Sequence, residues 1–183
     1  MRRIRIVVAY DGTNYCGWQI QPNGITIEEI LNRQISKLTG EDIRIIGASR
    51  TDSGVHALGN VAVFDTESRI PGDRFAYALN QKMPEDIVIV RSDEVQIDWH
   101  PRYQNEISKT YEYHIYNAKV RNPLKNRYST FVSFDLDVEK MRQGAKYILG
   151  EHDFASFCNV RTNAKDTVRT VHEITITEIP LDK

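Results

Sequence analysis

Residues 26–40 are TIEEILNRQISKLTG, a segment with the start, face and end of one helix. Thr26 ahead of Ile27, Glu28 and Glu29 has the form of a capping box: the threonine hydroxyl takes the amide of Glu29 and the Glu29 side chain returns the bond. Ile27, Ile30, Leu31, Ile35 and Leu38 then recur at helical spacing on one face, and Gly40 suits the left-handed end. A helix so one-sided needs a partner surface, and its neighbours supply one. Arg3 to Tyr10 reads as a buried strand, Asp42 to Ala48 as a second and Asn60 to Phe64 as a third. Pro71-Gly72-Asp73 opens a second helix with Phe75 and Leu79 on one face and Pro84 past its end; Ile87 to Val90 is a fourth strand. The order β-α-β-β-α-β is the split βαβ, or ferredoxin-like, arrangement.

A second unit begins near Lys109. Residues 109–117, KTYEYHIYN, alternate as a strand does, with Tyr111, Tyr113 and Ile115 on one face. Asp137 can cap a helix with the stripe Val138, Met141, Ala145, Ile148 and Leu149, closed by Gly150, and Thr167 to Ile179 reads as a long strand. A full repeat of the first half would still owe a strand, a helix and a strand. The expected division is an N-terminal subdomain over 1–104, carrying a loop at 47–59, and an incomplete C-terminal one over 105–183.

The chain has 183 residues, 40% hydrophobic and 27% charged, which is ordinary for a globular protein with a real core. No apolar run approaches the roughly 20 residues that span a bilayer, and the opening MRRIRIVVAYDG lacks the length and cleavage site of a signal peptide; a cytoplasmic location is expected, with no membrane partner. Cys16 and Cys158 make neither a disulfide framework nor a zinc pattern, and the five histidines are scattered, so no metal is expected. Net charge is −1, yet the distribution is uneven: no acid occurs from Tyr113 to Phe134, where Lys119, Arg121, Lys125 and Arg127 fall. Arg161, Lys165 and Arg169 form a looser second cluster. Such a basic segment either grips phosphates or is a solvated loop.

Between the second and third strands lies SRTDSGVHA, residues 49–57. A surface turn accounts for Asp52 and Gly54 but gives no reason for Arg50 and His56. Asp52-Ser53-Gly54 has the Asp-Ser-Gly form of an aspartic protease, but those sites pair two aspartates around a shared proton, which a guanidinium at Arg50 opposes. A protease is excluded.

GASRTDSGVHALG at 47–59, YDGTNYCGWQ at 10–19, ALNQKMPEDI at 78–87, KTYEYHIYN at 109–117 and GEHDFASF at 150–157 together resemble the bacterial tRNA pseudouridine synthase A family over nearly the whole chain. The resemblance implies that Asp52 is the catalytic aspartate and that Tyr111 stacks on the target base. It implies an α+β fold of two ferredoxin-like halves sharing an extended antiparallel sheet, with the cleft between them, and a homodimer that isomerises uridine to pseudouridine in the anticodon stem-loop of tRNA without a cofactor. Family members continue past the last residue here with a strand and a helix bearing a Met-Val-Arg motif, which matches the elements the second half still owes.

The reaction breaks the N1 glycosidic bond, turns the base and re-forms the bond at C5, so nothing is oxidised and no cofactor is called for. A carboxylate is a suitable nucleophile. A neighbouring arginine favours the ionised form of a carboxylate, and in an extended segment Arg50 and Asp52 point the same way and can pair; Arg50 can equally hold a phosphate or fill the place of the displaced base. Ser53-Gly54 lets the backbone turn and RNA approach. His56 is read first as a hydrogen-bonded brace of the loop, with base contact as its second role, and Trp18 and Tyr15 either shape the cleft or pack the first loop. The competing reading is a non-catalytic RNA-binding ferredoxin-like module, or an inactive fragment of such an enzyme, which would function fully with Asp52→Asn.

Overall fold

The computed structural model describes residues 1–103, 108–158 and 166–180. The chain divides into two compact units, Met1–Tyr111 and Glu112–Lys183. The first is built on strand β1 (Arg2–Tyr10), helix α1 (Ile27–Thr39), β2 (Ile46–Gly47), β3 (Ala57–Thr66), helix α2 (Phe75–Asn80) and β4 (Ile87–Val95), in the expected β-α-β-β-α-β order. Its sheet runs β2-β3-β1-β4 with every pairing antiparallel.

The alternation in RIRIVVAY drives the packing. Ile4, Ile6, Val8 and Tyr10 of β1 turn to the core, while Arg3 and Arg5 on the other face pair with Asp65 and Asp93 of the flanking strands. Ile27, Ile30, Leu31 and Ile35 of α1 close over the core face, joined by Phe64, Phe75, Leu79, Ile87 and Ile89. Burying each such aliphatic chain stabilises the fold by about 1.5–3 kcal/mol relative to leaving it exposed. Thr26 caps α1 by accepting the Glu29 amide at 3.3 Å, and Gly40 ends it with φ of 75°. The return bond of the capping box is absent among the described residues; Glu28 is the acid used, taking the Ile20 amide at 2.9 Å.

Pairing between β1 and β3 is regular from Arg2 opposite Thr66 to Val8 opposite Asn60, then shifts, leaving Tyr10 opposite Ala57. Such irregularities sharpen the local bend of a strand and often lie beside functional sites. Here the shift falls where β1 meets the loop between β2 and β3.

Several elements are shorter than the pattern predicts. Of Asp42 to Ala48 only Ile46–Gly47 is strand. Ile43 and Ile45 are buried as a strand would bury them, but their amides donate to Ser36 Oγ at 3.0 Å and Asn32 Oδ1 at 2.9 Å on α1, so helix side chains replace a ladder. The second helix opens as a 3-10 turn over Gly72–Arg74 before α2.

In the second unit the described strands are β5 (Ile115–Asn117), β6 (Thr130–Val132), β7 (Gly150–Asp153) and β8 (Val168–Val171), with helix α3 (Val138–Ala145). β5 and β6 pair in parallel and β7 and β8 antiparallel. Asp137 caps α3 as expected, accepting the Lys140 amide at 3.0 Å, and this bond holds its carboxyl below the usual range. The helix stops short of Leu149 because its last amides take carbonyls three residues back, Tyr147 from Gly144 and Ile148 from Ala145, at 3.1 Å each. The expected strands 109–117 and 167–179 are strand only at Ile115–Asn117 and Val168–Val171. Beyond β8, Ile176 O accepts the Arg142 guanidinium of α3 at 3.1 and 3.2 Å and enters no ladder among the described residues. No helix among the described residues is long and apolar enough to cross a membrane.

Candidate active site

The loop joining β2 to β3, residues 48–56, is fixed by side chains and backbone from β1, β3 and the segment after β1. At its start Ala48 N–H still pairs with Val61 O at 2.7 Å. At Ser49 the ladder is replaced by one buried amide: Asn60 Oδ1 accepts the Ser49 N–H at 3.2 Å and Asn60 Nδ2 donates to the Ser49 carbonyl at 3.0 Å. Thr51 is held at two atoms. Its hydroxyl lies 2.8 Å from the Tyr10 hydroxyl, and its carbonyl accepts the Trp18 amide at 3.0 Å. Ser53 Oγ and Gly54 N–H both donate to Tyr15 O, at 3.2 and 3.3 Å. Gly54, at φ 78°, completes a turn in which Val55 N–H returns to Asp52 O at 3.2 Å.

Trp18 and Tyr15, left open between cleft and packing, are both buried and pack. The Trp18 ring sits on Gly47, where a Cβ would come within 2.6 Å of it. Tyr15 donates its hydroxyl to Asp86 at 2.5 Å; burial first, and this carboxylate second, push the phenol above its ordinary pKa. His56 lies against the segment after β1, its Nδ1 3.2 Å from the Gly12 amide and 3.0 Å from Asp11 Oδ1. One ring nitrogen accepts the first or donates to the second, according to the tautomer. The bracing role expected of His56 is what this geometry provides. Where the loop leaves β2, Arg102 Nε donates to Gly47 O at 2.7 Å and Lys109 Nζ to Ala48 O at 3.4 Å.

Thr51 therefore points inward, and Arg50 and Asp52 on either side of it are exposed. Of the roles open to Arg50, direct pairing with Asp52 is not formed among the described residues, where the Asp52 carboxylate has no hydrogen bond or ion pair. At an exposed position such a pair gains little, since water solvates both charges.

Tyr111, 71% exposed, closes the first unit. Tyr113, on the same face of the expected strand as Tyr111, is 87% exposed, because the strand ladder does not reach it. In the second unit Lys119 pairs with Asp135 at 2.8 Å across an exposed surface, and the Arg121 guanidinium lies 5.0 Å from the Phe131 ring centroid. Lys125 and Arg127 are exposed. Of the looser cluster, Arg161 and Lys165 lie outside the described residues, and Arg169 is on β8. His152-Asp153 lies in strand β7, paired with Arg169 and Val168 of β8, and Asp153 accepts the Thr167 hydroxyl and the Ala155 amide, which hold its carboxyl below the usual range. No cluster of three or more His, Cys, Asp or Glu suited to a metal occurs among the described residues.

The anchors of the loop, Tyr10, Asn60 and Thr51, were not singled out from sequence. One signal was available: the period-two burial of β1 carries Tyr10 inward, which places a hydroxyl at the end of an otherwise apolar face.

The family described as tRNA pseudouridine synthase matches residues 6–104 and 145–183. The tRNA pseudouridine synthase A of Acetivibrio thermocellus is 49% identical over 176 residues, which are 96% of this chain and 72% of that protein. The proteins of the same name from Thermoanaerobacter pseudethanolicus and Brevibacillus brevis are 46% and 44% identical, the first over 96% of this chain and 72% of the relative, the second over 98% and 73%. The motif loop and these likenesses along nearly the whole chain agree: the chain belongs to the tRNA pseudouridine synthase family.

Proposed function

We propose that this chain isomerises uridine to pseudouridine in the anticodon stem-loop of tRNA, with Asp52 as the nucleophile. One observation carries the reading: Asp52 stands exposed and unpaired on a loop whose adjoining backbone is anchored at Ser49, Thr51, Ser53 and Gly54. A reactive group needs that combination of free side chain and fixed backbone. In the reaction the N1–C1′ bond breaks, the base turns and a C5–C1′ bond forms, while N1 gains a proton and C5 loses one. No electrons leave the substrate, so the chemistry needs no redox cofactor.

Arg50 supports Asp52. Once RNA covers the loop, a nearby guanidinium stabilises a carboxylate that has lost water, and it is free to hold a phosphate or take the place of the turned-out base. Arg50→Leu is expected to cut turnover severely with folding unchanged; an unaltered rate in steady-state assays reduces Arg50 to a surface residue. Extruding the uridine costs a few kcal/mol, and stacking on an aromatic face returns about 1–3 kcal/mol; Tyr111, exposed and aromatic, is assigned that role. His56 braces the loop beneath the base.

The fold proposed for the whole is two ferredoxin-like halves, 1–104 and 105–183, sharing an antiparallel sheet. The strand order of the first unit supports it. A homodimer acting in the cytoplasm completes the reading.

Lys119, Arg121, Lys125 and Arg127 are assigned to the RNA backbone. Replacing all four by glutamine is expected to weaken tRNA binding and lower the slope of log K against log salt by about 3, at roughly 0.7–0.9 per phosphate contact. An unaltered slope removes the segment from the RNA path. The function itself is tested by incubating the chain with unmodified tRNA transcript and digesting to nucleosides: pseudouridine is expected to appear at the expense of uridine, and a digest without it contradicts the assignment.

A further inference from the structure

We infer that Tyr10 and Asn60 are positioning residues for the reaction, acting through Thr51 to fix the backbone from which Asp52 projects. The inference rests on the proposed role of Asp52. Its own support is the hydrogen-bond pattern beneath the loop. Asn60 is 6% exposed, and its orientation is set by Ser49, which gives its N–H to Oδ1 and takes a bond from Nδ2. The second Nδ2 hydrogen points to the Tyr10 oxygen at 3.4 Å. The same oxygen lies 2.8 Å from Thr51 Oγ1, in a bond that either hydroxyl can donate. Asn60, Tyr10 and Thr51 thus form one chain of hydrogen bonds in a nearly dry site where Tyr10 is 5% exposed. Burial, opposed by these two hydrogen bonds, raises the phenol's pKa, so Tyr10 stays protonated.

The consequence for Asp52 is geometric. Its carboxylate makes no hydrogen bond or ion pair among the described residues, so no polar partner orients it. Its place is set by the residues on either side, and Thr51, its immediate neighbour, is gripped at the hydroxyl by Tyr10 and at the carbonyl by the Trp18 amide. The β1–β3 register shifts between Val8 and Tyr10, just before the residue that meets Thr51. A misplacement of about 1 Å at a reacting group can cost on the order of 100-fold in rate without altering binding.

The test uses the full chain and Tyr10→Phe, which keeps the ring and removes only the hydroxyl, together with Thr51→Val and Thr51→Ser. Steady-state pseudouridine formation gives kcat and KM for tRNA, and native-state amide exchange follows the Trp18 and Gly54 amides, which end on Thr51 and Tyr15. The expected result is a fall in kcat of about 100-fold for Tyr10→Phe with KM unchanged, a similar fall for Thr51→Val, and recovery towards wild type for Thr51→Ser, which restores the hydroxyl. Trp18 exchange speeds in the two impaired variants while the amides pairing β1 with β3 stay protected. Wild-type kcat in Tyr10→Phe overturns the inference, as does faster exchange spread evenly over the sheet, which would indicate general destabilisation. Should the wild-type chain form no pseudouridine, the functional reading fails separately, and exchange still decides: unchanged Trp18 protection in Tyr10→Phe overturns the positioning role, and a local increase sustains it.

Discussion

Asp52→Asn is expected to lower pseudouridine formation by about 10⁴-fold or more, the scale on which removing a nucleophile from a catalytic unit acts, while tRNA still binds. The structure makes this substitution an unusually clean one. The carboxylate is exposed and carries no hydrogen bond or ion pair among the described residues, so replacing one oxygen by an amide nitrogen removes no contact that holds the fold. Thermal unfolding should therefore be unchanged, and binding should hold or strengthen, since a negative charge facing the phosphates is gone. A loss of turnover accompanied by a lower Tm or lost binding would point to a structural role. Turnover near wild type would remove Asp52 from the chemistry.

The second large effect is expected at Gly17, away from the motif. Gly17 has φ of 82°, and a Cβ there would lie 2.6 Å from Thr51 O, 3.1 Å from the Asp52 carbonyl carbon and 3.3 Å from Ser53 N. Left-handed backbone costs an ordinary residue about 1–2 kcal/mol, and forced overpacking adds about 1–3 kcal/mol. Gly17→Ala should lose about 3 kcal/mol in denaturant unfolding and should also lose turnover, because the atoms it strikes are the backbone that carries Asp52. Gly40→Ala is the matched control: φ is 75° but nothing lies within 4 Å of the added methyl. It should show the conformational cost alone, about 1–2 kcal/mol, with turnover intact. Equal activity in the two variants would mean that the loop tolerates displacement and that its anchoring is unimportant.

What could be read from sequence followed the range over which each feature is determined. Helix α1 was legible because its cap, stripe and terminal glycine all lie within residues 26–40 and agree with one another. The second strand misled, because Ile43 and Ile45 alternate and bury as a strand does while their amides go to Ser36 and Asn32 of the preceding helix. Strand-like burial and strand pairing are separable, and sequence periodicity reports only the first. In KTYEYHIYN the alternation is present, but a ladder is found only at its last three residues, and Tyr113 is left in solvent.

The site divides in the same way. Asp52, Arg50 and His56 stand in one short motif and were found by reading it, although the pairing of Arg50 with Asp52 was not met. Tyr10 and Asn60 are fifty residues apart and meet only when β1 and β3 pair, so no local pattern joins them. A motif names the groups that do the chemistry; the groups that hold them still belong to the fold.

The most direct test of the central claim is tritium release from tRNA transcribed with uridine labelled at C5, compared between the wild-type chain and Asp52→Asn at the same saturating tRNA. Forming a C5–C1′ bond displaces the C5 hydrogen, so the label reports the bond that defines the product. Release by the wild type with none from Asp52→Asn is the predicted result. Release at equal rates from both would contradict the account, since the isomerisation would then proceed without the carboxylate on which the reading of the loop depends.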